Sequence, residues 1–344
     1  FGGEIFMKPF ENIIPRDFQG GVLVLKNGQV VFEHCQGNAD CGTNTPFTSH
    51  TTITLASLSK QFVAAAILLQ IEQGKLSLDD TIDLYFPQYP QGKNITIRNL
   101  LHHSSGIPDY IGDRIIPDAI RKYESEHGTA PADVIEFNRC IVAECRPVSL
   151  SECFELIGEM PLHFEPGTEG RYSNTNYFLL GHILEMLTGK PLSAAMSDVF
   201  MRFSLNHTHM NGHIADACGY VKHNDEIFSC GRPAMESGDS SVVSSLTDLG
   251  LWCSAILNAD ILSADSWREC LNFDPKPYGC GLWQFDNGWF GHDGGLPGLR
   301  HWQRLNFEYK AAIIILSNTV MEEPPFLAQM MEYFIKTKQT AERL

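Results

Sequence analysis

Strand-like sequence stands at both ends of this 344-residue chain, and helical sequence fills the middle. That distribution constrains the fold more than any other feature, because strands must pair and helices must bury an apolar stripe. Near the N-terminus, Val22, Leu23, Val24 and Leu25 precede Asn27-Gly28, and Val30, Val31 and Phe32 come after it. Asn-Gly between two β-rich runs predicts a hairpin over residues 21–35, since both turn positions need positive φ. Towards the C-terminus, residues 278–285, 289–295, 299–305 and 311–316 read as strands. Asp286-Asn287-Gly288 and Asn306-Phe307-Glu308 lie between them as turns. A last helix is expected over residues 325–336.

Residues 57–73 predict a strong helix. Phe62, Val63, Ala66, Ile67, Leu68 and Leu69 give it a wide apolar surface, and Gly74 is placed to end it. Residues 177–187 predict a second, closed by Gly189-Lys190-Pro191. Ser149 with Glu152, and Ser245 with Asp248, have capping-box spacing and open two more. The expected class is therefore α/β in the α+β sense. An antiparallel sheet is formed by both chain ends and flanked by helices, with a mainly helical lobe inserted. Residues 1–50 plus 270–344 make the sheet lobe and residues 51–269 the helical one, as a single discontinuous functional unit. No internal repeat interrupts this plan.

Charge excludes some partners. With 25 Lys+Arg against 41 Asp+Glu, the formal net charge is -16. Nucleic acid and anionic membrane surfaces are bound chiefly through Lys and Arg, so neither is an expected partner. No run of about eighteen apolar residues is present to span a membrane. Ten cysteines include no C-x-x-C. Most are expected as buried apolar fillers, with one or two disulfides if the chain is exported. Residues 1–10 lack a basic start followed by an apolar core, so no export signal is visible. Met7 is a candidate native start, and both a cytoplasmic location and export after processing stay open.

Three short motifs carry the chemistry. The first is Ser57-Leu58-Ser59-Lys60, the sole S-x-x-K of the chain. If Ser57 opens the helix, the hydroxyl and the amine are neighbours on one face. The helix N-terminus favours a developing oxyanion there. A lysine buried under it has a lowered pKa and acts as a base. The plainer reading is an N-cap serine and a solvated lysine, yet the residues after Lys60 are mostly apolar. The second is Tyr172-Ser173-Asn174, after a turn at Pro166-Gly167. On extended chain, residues 172 and 174 point the same way, so a phenol and an amide face one cleft. The plainer reading is a packed loop tyrosine beside an asparagine turn. The third is His292-Asp293-Gly294-Gly295 on an expected strand. Gly294, without a side chain, lets a substrate backbone approach the strand edge, and the Gly295 N–H is placed to point into the cleft. The plainer reading is a strand end with a glycine-rich turn.

The three motifs occur once each, in this order and about equally spaced. Together with residues 100–110, 166–177 and 291–298, they make the sequence similar to the serine β-lactamase and penicillin-binding protein superfamily. It most resembles the branch of class C β-lactamases, D,D-peptidases and related esterases, from about Gly20 to Asn318. The resemblance implies a β-lactamase/transpeptidase-like fold and a serine hydrolase that forms an acyl-enzyme on amide, β-lactam or ester substrates. Ser57 matches the nucleophile, Lys60 its base, and Tyr172 the proton shuttle. Asn174 matches the residue that bonds the substrate amide and Lys60. His292 and Gly294 match the third motif, and Gly295 aligns with the N–H that completes an oxyanion hole with that of Ser57. The expected partner is a small-molecule or peptide acyl substrate, with no cofactor and no metal.

Three departures qualify it. The third motif carries His where the strongest β-lactamases and transpeptidases commonly have Lys, and histidine is the weaker anchor for a substrate carboxylate at neutral pH. Residues 111–148 form a longer, cysteine-containing stretch than the pattern needs, expected to wall the cleft. The relatives also usually carry a longer helix before the first strand.

Competing chemistry is thin. His207, His209, His213, Asp216, Cys218 and His223 form the one stretch rich in metal-ligand types. It lacks H-E-x-x-H and the run of the metallo-β-lactamases, so a polar surface loop is expected. His102 and His103 are expected to pack and cap rather than catalyse. No G-x-S-x-G elbow occurs, which weighs against a Ser-His-Asp triad. The alternative function class is a catalytically weak or inactive penicillin-binding-type protein that serves as a binding or scaffold module.

Overall fold

In the computed structural model, the described residues are 10–210, 212–224, 226–273 and 277–342. The N-terminal stretch read for an export signal, with Met7, lies outside them except for Phe10. The centre is a six-stranded antiparallel sheet. Its strands are β1 (Gly20–Lys26), β2 (Gln29–Gln36), β3 (Trp283–Gln284), β4 (Phe290–Leu296), β5 (Leu299–Asn306) and β6 (Ala311–Ser317), in the order β2-β1-β6-β5-β4-β3. The two chain ends meet where β1 runs antiparallel to β6, from Gly20 opposite Ser317 to Lys26 opposite Ala311. The β1–β2 hairpin turns at Asn27 (φ 52°) and Gly28 (φ 73°), both left-handed as the sequence requires.

The central strands are buried on both faces, which is why they read as unbroken apolar runs. Period-2 alternation divides their side chains between two cores. Leu23, Leu25, Ala312, Ile314 and Leu316 face the large core under the inserted helices. Val22, Val24, Ala311, Ile313 and Ile315 face a smaller one with Trp289, Trp302 and the C-terminal helix. Each fully buried Ile or Leu contributes roughly 1.5–3 kcal/mol. A one-residue slip would exchange the two sets, so the register is fixed.

Four helices matter for the site. They are α1 (Ser59–Glu72), α2 (Asn174–Thr188), α3 (Leu246–Leu257) and α4 (Pro325–Glu342). Helix α1 is apolar on nearly every side. All its residues from Ser59 to Leu69 are buried, so it runs through the large core and carries Lys60 inside. Helix α2 packs on α1, α3 covers the inner face of β1 and β6, and α4 covers the outer face. Ser149 and Ser245 each accept the N–H three residues on, at 3.2 Å, as their spacing predicts. The partner acids do not close a full box: Glu152 pairs with Arg146, and Asp248 takes His207 N–H and the Thr208 hydroxyl.

Three expectations need correction. Ser57 does not lie in the α-helix; it sits in a 3₁₀ turn, Ala56–Leu58, immediately before it. Asn174 is not on extended chain, since α2 begins there, directly after Ser173, which is extended. Of residues 278–285, only Trp283–Gln284 is a strand. There Cys280 N–H is given to Cys270 O, and Gly281 (φ 77°) lies so close to Gln61 that a Cβ would meet its Cα at 2.6 Å. Packing on α1 outcompetes pairing. All ten cysteines have free thiols, six of them buried. Among the described residues no helix is long and apolar enough to cross a membrane.

Candidate active site

The short strand Ile53–Thr54 leads into Leu55, whose N–H is held by Val242 O at 2.8 Å. Ala56 then takes φ 52°, a conformation costly for a residue with a Cβ. That bend sets Ser57 at the mouth of α1, and Lys60 lies one turn further on.

Lys60 is fully buried, with all three ammonium donors engaged. Nζ gives hydrogen bonds to Ser57 Oγ at 3.1 Å, Asn174 Oδ1 at 2.9 Å and Asp239 O at 2.7 Å. It also lies 4.9 Å from the centre of the Tyr172 ring. Burial pulls its pKa down to about 8, and the nearby Asp239 and Asp109 carboxylates oppose that fall. A neutral Lys60 amine keeps two donors for Asn174 and Asp239 and turns its lone pair on the Ser57 hydroxyl.

Tyr172 reaches the same oxygen from the other side, its hydroxyl donating to Ser57 Oγ at 2.8 Å. Burial drives this phenol well above its ordinary pKa of 10, so it rests as a neutral donor. Its ring stacks on Trp283 at 6.0 Å and packs on His103 at 4.4 Å. His103 also holds the chain on both sides of Tyr172. Its carbonyl accepts Arg171 N–H at 2.9 Å, and its Nδ1 accepts Ser173 N–H at 3.3 Å. His103 thus packs and caps, as expected of it.

Ser57, Lys60, Tyr172 and Asn174 therefore meet in one hydrogen-bonded group. Strand β4 adds the third motif. Gly294 lies against the turn that carries Ser57: a Cβ there would sit 2.5 Å from Leu55 O. Gly295 lines a cavity of about 250 Å³ together with Ser57 and Asn174.

His292 departs from its expected use as a substrate anchor. It is buried and is not among the residues lining that cavity. Its Nδ1 donates to Asp293 O at 2.6 Å, and Nε2 accepts from the Tyr278 hydroxyl at 3.1 Å. Burial, with a smaller contribution from the Lys60 charge, lowers its pKa to about 3. A neutral ring with both nitrogens committed offers no cation to a carboxylate.

The cavity wall is largely apolar. Ile111, Ile115, Ile116, Phe137, Ile141 and Val148 come from the long segment expected to wall the cleft, and Leu296 and Pro297 face them from the sheet. Arg300 stands at its edge, giving Nη1 hydrogen bonds to Leu296 O and Leu299 O.

Sequence reasoning missed Asp109, Asp239, Tyr278 and Trp283. Asp109 lies inside residues 100–110 with nothing in the pattern to give it a part, and Asp239 sits in a Ser/Gly-rich loop with no motif. In the histidine-rich stretch, His207 packs on His50 and gives its main-chain N–H to Asp248. Among the described residues no three His, Cys, Asp or Glu side chains gather as a metal site; Asn211 lies outside them.

Known proteins resemble this chain over most of its length. The family described as Beta-lactamase matches residues 15–331. Penicillin-binding protein 4* of Bacillus subtilis (strain 168) is 27% identical over 332 residues, covering 88% of this chain and 68% of that protein. The D-aminopeptidase of Brucella anthropi is 26% identical over 314 residues, 86% of this chain but 55% of the other. The chain thus spans between about half and two thirds of these curated relatives. A penicillin binding protein from Bacillus halodurans superposes with a TM-score of 0.75 at 22% identity, over 92% of this chain and 97% of its own, and shares the fold.

Proposed function

This chain belongs to the Beta-lactamase family, and we propose that it is a serine hydrolase that cleaves amide, β-lactam or ester bonds through an acyl-enzyme on Ser57. The observation that carries the proposal is the Ser57 hydroxyl bracketed by Lys60 at 3.1 Å and Tyr172 at 2.8 Å.

In the proposed cycle, neutral Lys60 takes the Ser57 proton as Oγ attacks the substrate carbonyl. The tetrahedral oxyanion is held by the main-chain N–H groups of Ser57 and Gly295; one such donor is typically worth about 3–4 kcal/mol. Tyr172 passes its proton to the departing nitrogen or oxygen, and the Lys60 ammonium returns a proton to Tyr172, leaving both groups neutral. Asn174 binds the substrate amide. A water then attacks the ester with the same groups, releasing the acid and restoring Ser57. No step needs a cofactor.

The apolar wall from Ile111 to Val148 supports an acyl group with aliphatic or aromatic bulk. The D-aminopeptidase relative makes D-amino acid amides one substrate class to include. The neutral His292 supports weak penicillin hydrolysis, since a β-lactam carboxylate finds no cation there.

Intact-protein mass spectrometry tests the proposal. The protein is exposed to a fluorophosphonate, nitrocefin, p-nitrophenyl esters and D-amino acid amides. One adduct on Ser57, absent from Ser57→Ala, is expected, with turnover of at least one substrate class. An unmodified wild-type protein with no turnover overturns it in favour of a binding or scaffold module.

A further inference from the structure

Asn174 stands between two opposite charges. On one side its Oδ1 accepts from Lys60 Nζ at 2.9 Å. On the other its Nδ2 donates to Asp109 Oδ2 at 3.0 Å. The Asn174 main-chain N–H reaches Asp109 Oδ1 at 3.2 Å, so one carboxylate grips both the backbone and the side chain of the first residue of α2. Asp109 is itself fixed: Oδ1 accepts Ile111 N–H at 3.1 Å, and its own N–H is given to Asp113 Oδ2 at 2.8 Å.

An amide so placed has one satisfied orientation. Turned over, it would set its NH₂ against the Lys60 ammonium and its carbonyl against the Asp109 carboxylate, two repulsive contacts in place of two charge-assisted bonds. Without the carboxylate, only Lys60 would choose, and a neutral Lys60 can accept as well as donate. The orientation would then rest on a single uncharged hydrogen bond in the protonation state that the reaction uses.

We propose that Asp109 is a positioning residue of the acyl-transfer site, holding the Asn174 amide with its carbonyl towards Lys60 and setting a negative charge one amide away from that lysine. The inference rests on the serine-hydrolase reading above. It assigns Asp109 no contact with substrate.

The surroundings of Lys60 define the test. Facing it are Asp109 beyond Asn174, Asp239, and the rings of Tyr172 and Tyr177 at 4.9 and 5.9 Å. His103 and His292 are held neutral by burial. Asp109 and Asp239 are thus the anions that favour the Lys60 ammonium. Removing one makes Lys60 lose its proton more readily.

The experiment compares the pH profile of kcat/KM for p-nitrophenyl butyrate, and of fluorophosphonate labelling at Ser57, in wild type and Asp109→Asn. The substituted amide keeps an oxygen for the Ile111 N–H. Activity is expected to fall on the order of tenfold. The acidic limb should move to lower pH by about one unit, as for loss of an opposite charge a few ångströms away. A purely structural part for Asp109 would lower activity and leave the limb in place, which overturns the inference. If Asp109→Asn does not fold, Asp109→Ser, which keeps a capping oxygen and lacks the charge, gives the same reading. A wild-type protein that is neither labelled nor active fails at the earlier step, the serine-hydrolase reading itself.

Discussion

Lys60 Nζ donates to Ser57 Oγ across 3.1 Å from one turn further along the same segment, inside a core where the lysine has no exposed surface. Water cannot stabilise that ammonium, so its pKa falls to about 8. If Lys60 is the base, kcat/KM for a neutral ester rises with pH through about 8 and levels above it, since only the deprotonated amine can take the Ser57 proton. Neither buried histidine contributes a limb near 6.5: burial holds His292 at about 3 and His103 well below its ordinary value. A pH–rate profile of the free enzyme checks this. An acidic limb centred near 6.5 would give the base to a histidine instead.

Tyr172 is expected to matter most where the leaving group is poor. Its hydroxyl sits 2.8 Å from Ser57 Oγ, and burial keeps it protonated. Tyr172→Phe removes one proton donor and little volume. Amide turnover should fall by roughly a hundredfold to ten-thousandfold, the span typical of positioned acid–base groups. Ester turnover should fall less, and fluorophosphonate labelling least, because fluoride leaves without protonation. Equal losses on all three would make Tyr172 a packing residue.

The sequence made legible whatever is local. Asn27-Gly28 dictates its hairpin because few other pairs accept two positive φ angles in succession. Ser57 and Lys60 stand three residues apart across the step from the 3₁₀ turn into α1, so their meeting still follows from spacing. The spacing of Tyr172 and Asn174 predicts a shared face on extended chain. They do come together, but with Ser173 as the last extended residue and Asn174 already helical. Tyr278 was illegible as a site residue. Its stretch looks like a strand, and only Gly281 packing on the backbone of Gln61 turns it inward to hold His292. Asp109 and Asp239 were hidden for another reason: each acts through a partner more than 60 positions away. Pattern along the chain carries no trace of such pairs.

Glu269 should set part of the acid stability. Its carboxylate bonds His102 Nε2 at 2.9 Å and pairs with Arg98, while His102 Nδ1 lies 3.1 Å from Tyr278 O, tying this cluster to the wall of the site. The His102 hydrogen bond, helped by Arg98, lowers the Glu269 pKa from 4.5 to about 2. An acid with a depressed folded-state pKa stabilises fully above its unfolded value and loses that contribution as pH falls through the folded one. Glu269→Gln should therefore be less stable than wild type by about 1 kcal/mol at pH 7, a figure already discounted for partial exposure. The gap should close between about pH 4.5 and 2. Urea unfolding midpoints across pH 2–7 check this, and a gap that stays constant refutes it.

Gly294 tests how closely the sheet must approach the nucleophile. A Cβ there would lie 2.5 Å from Leu55 O and 3.0 Å from Leu58 Cδ1, and Leu58 is itself fully buried. The first clash is with backbone, so no rotamer relieves it; β4 and the turn bearing Ser57 have to separate. A shift approaching an ångström at a reacting group costs on the order of a hundredfold in rate. Gly294→Ala should therefore slow Ser57 labelling by about that factor and lower the Tm. Gly74→Ala supplies the comparison. Gly74 has a left-handed φ, 69°, but nothing lies within 4 Å of its added Cβ. It should cost about 1 kcal/mol of stability through backbone strain and leave labelling unchanged. If the two variants lose labelling in proportion to their loss of Tm, the close approach of β4 serves stability alone and does not set the nucleophile.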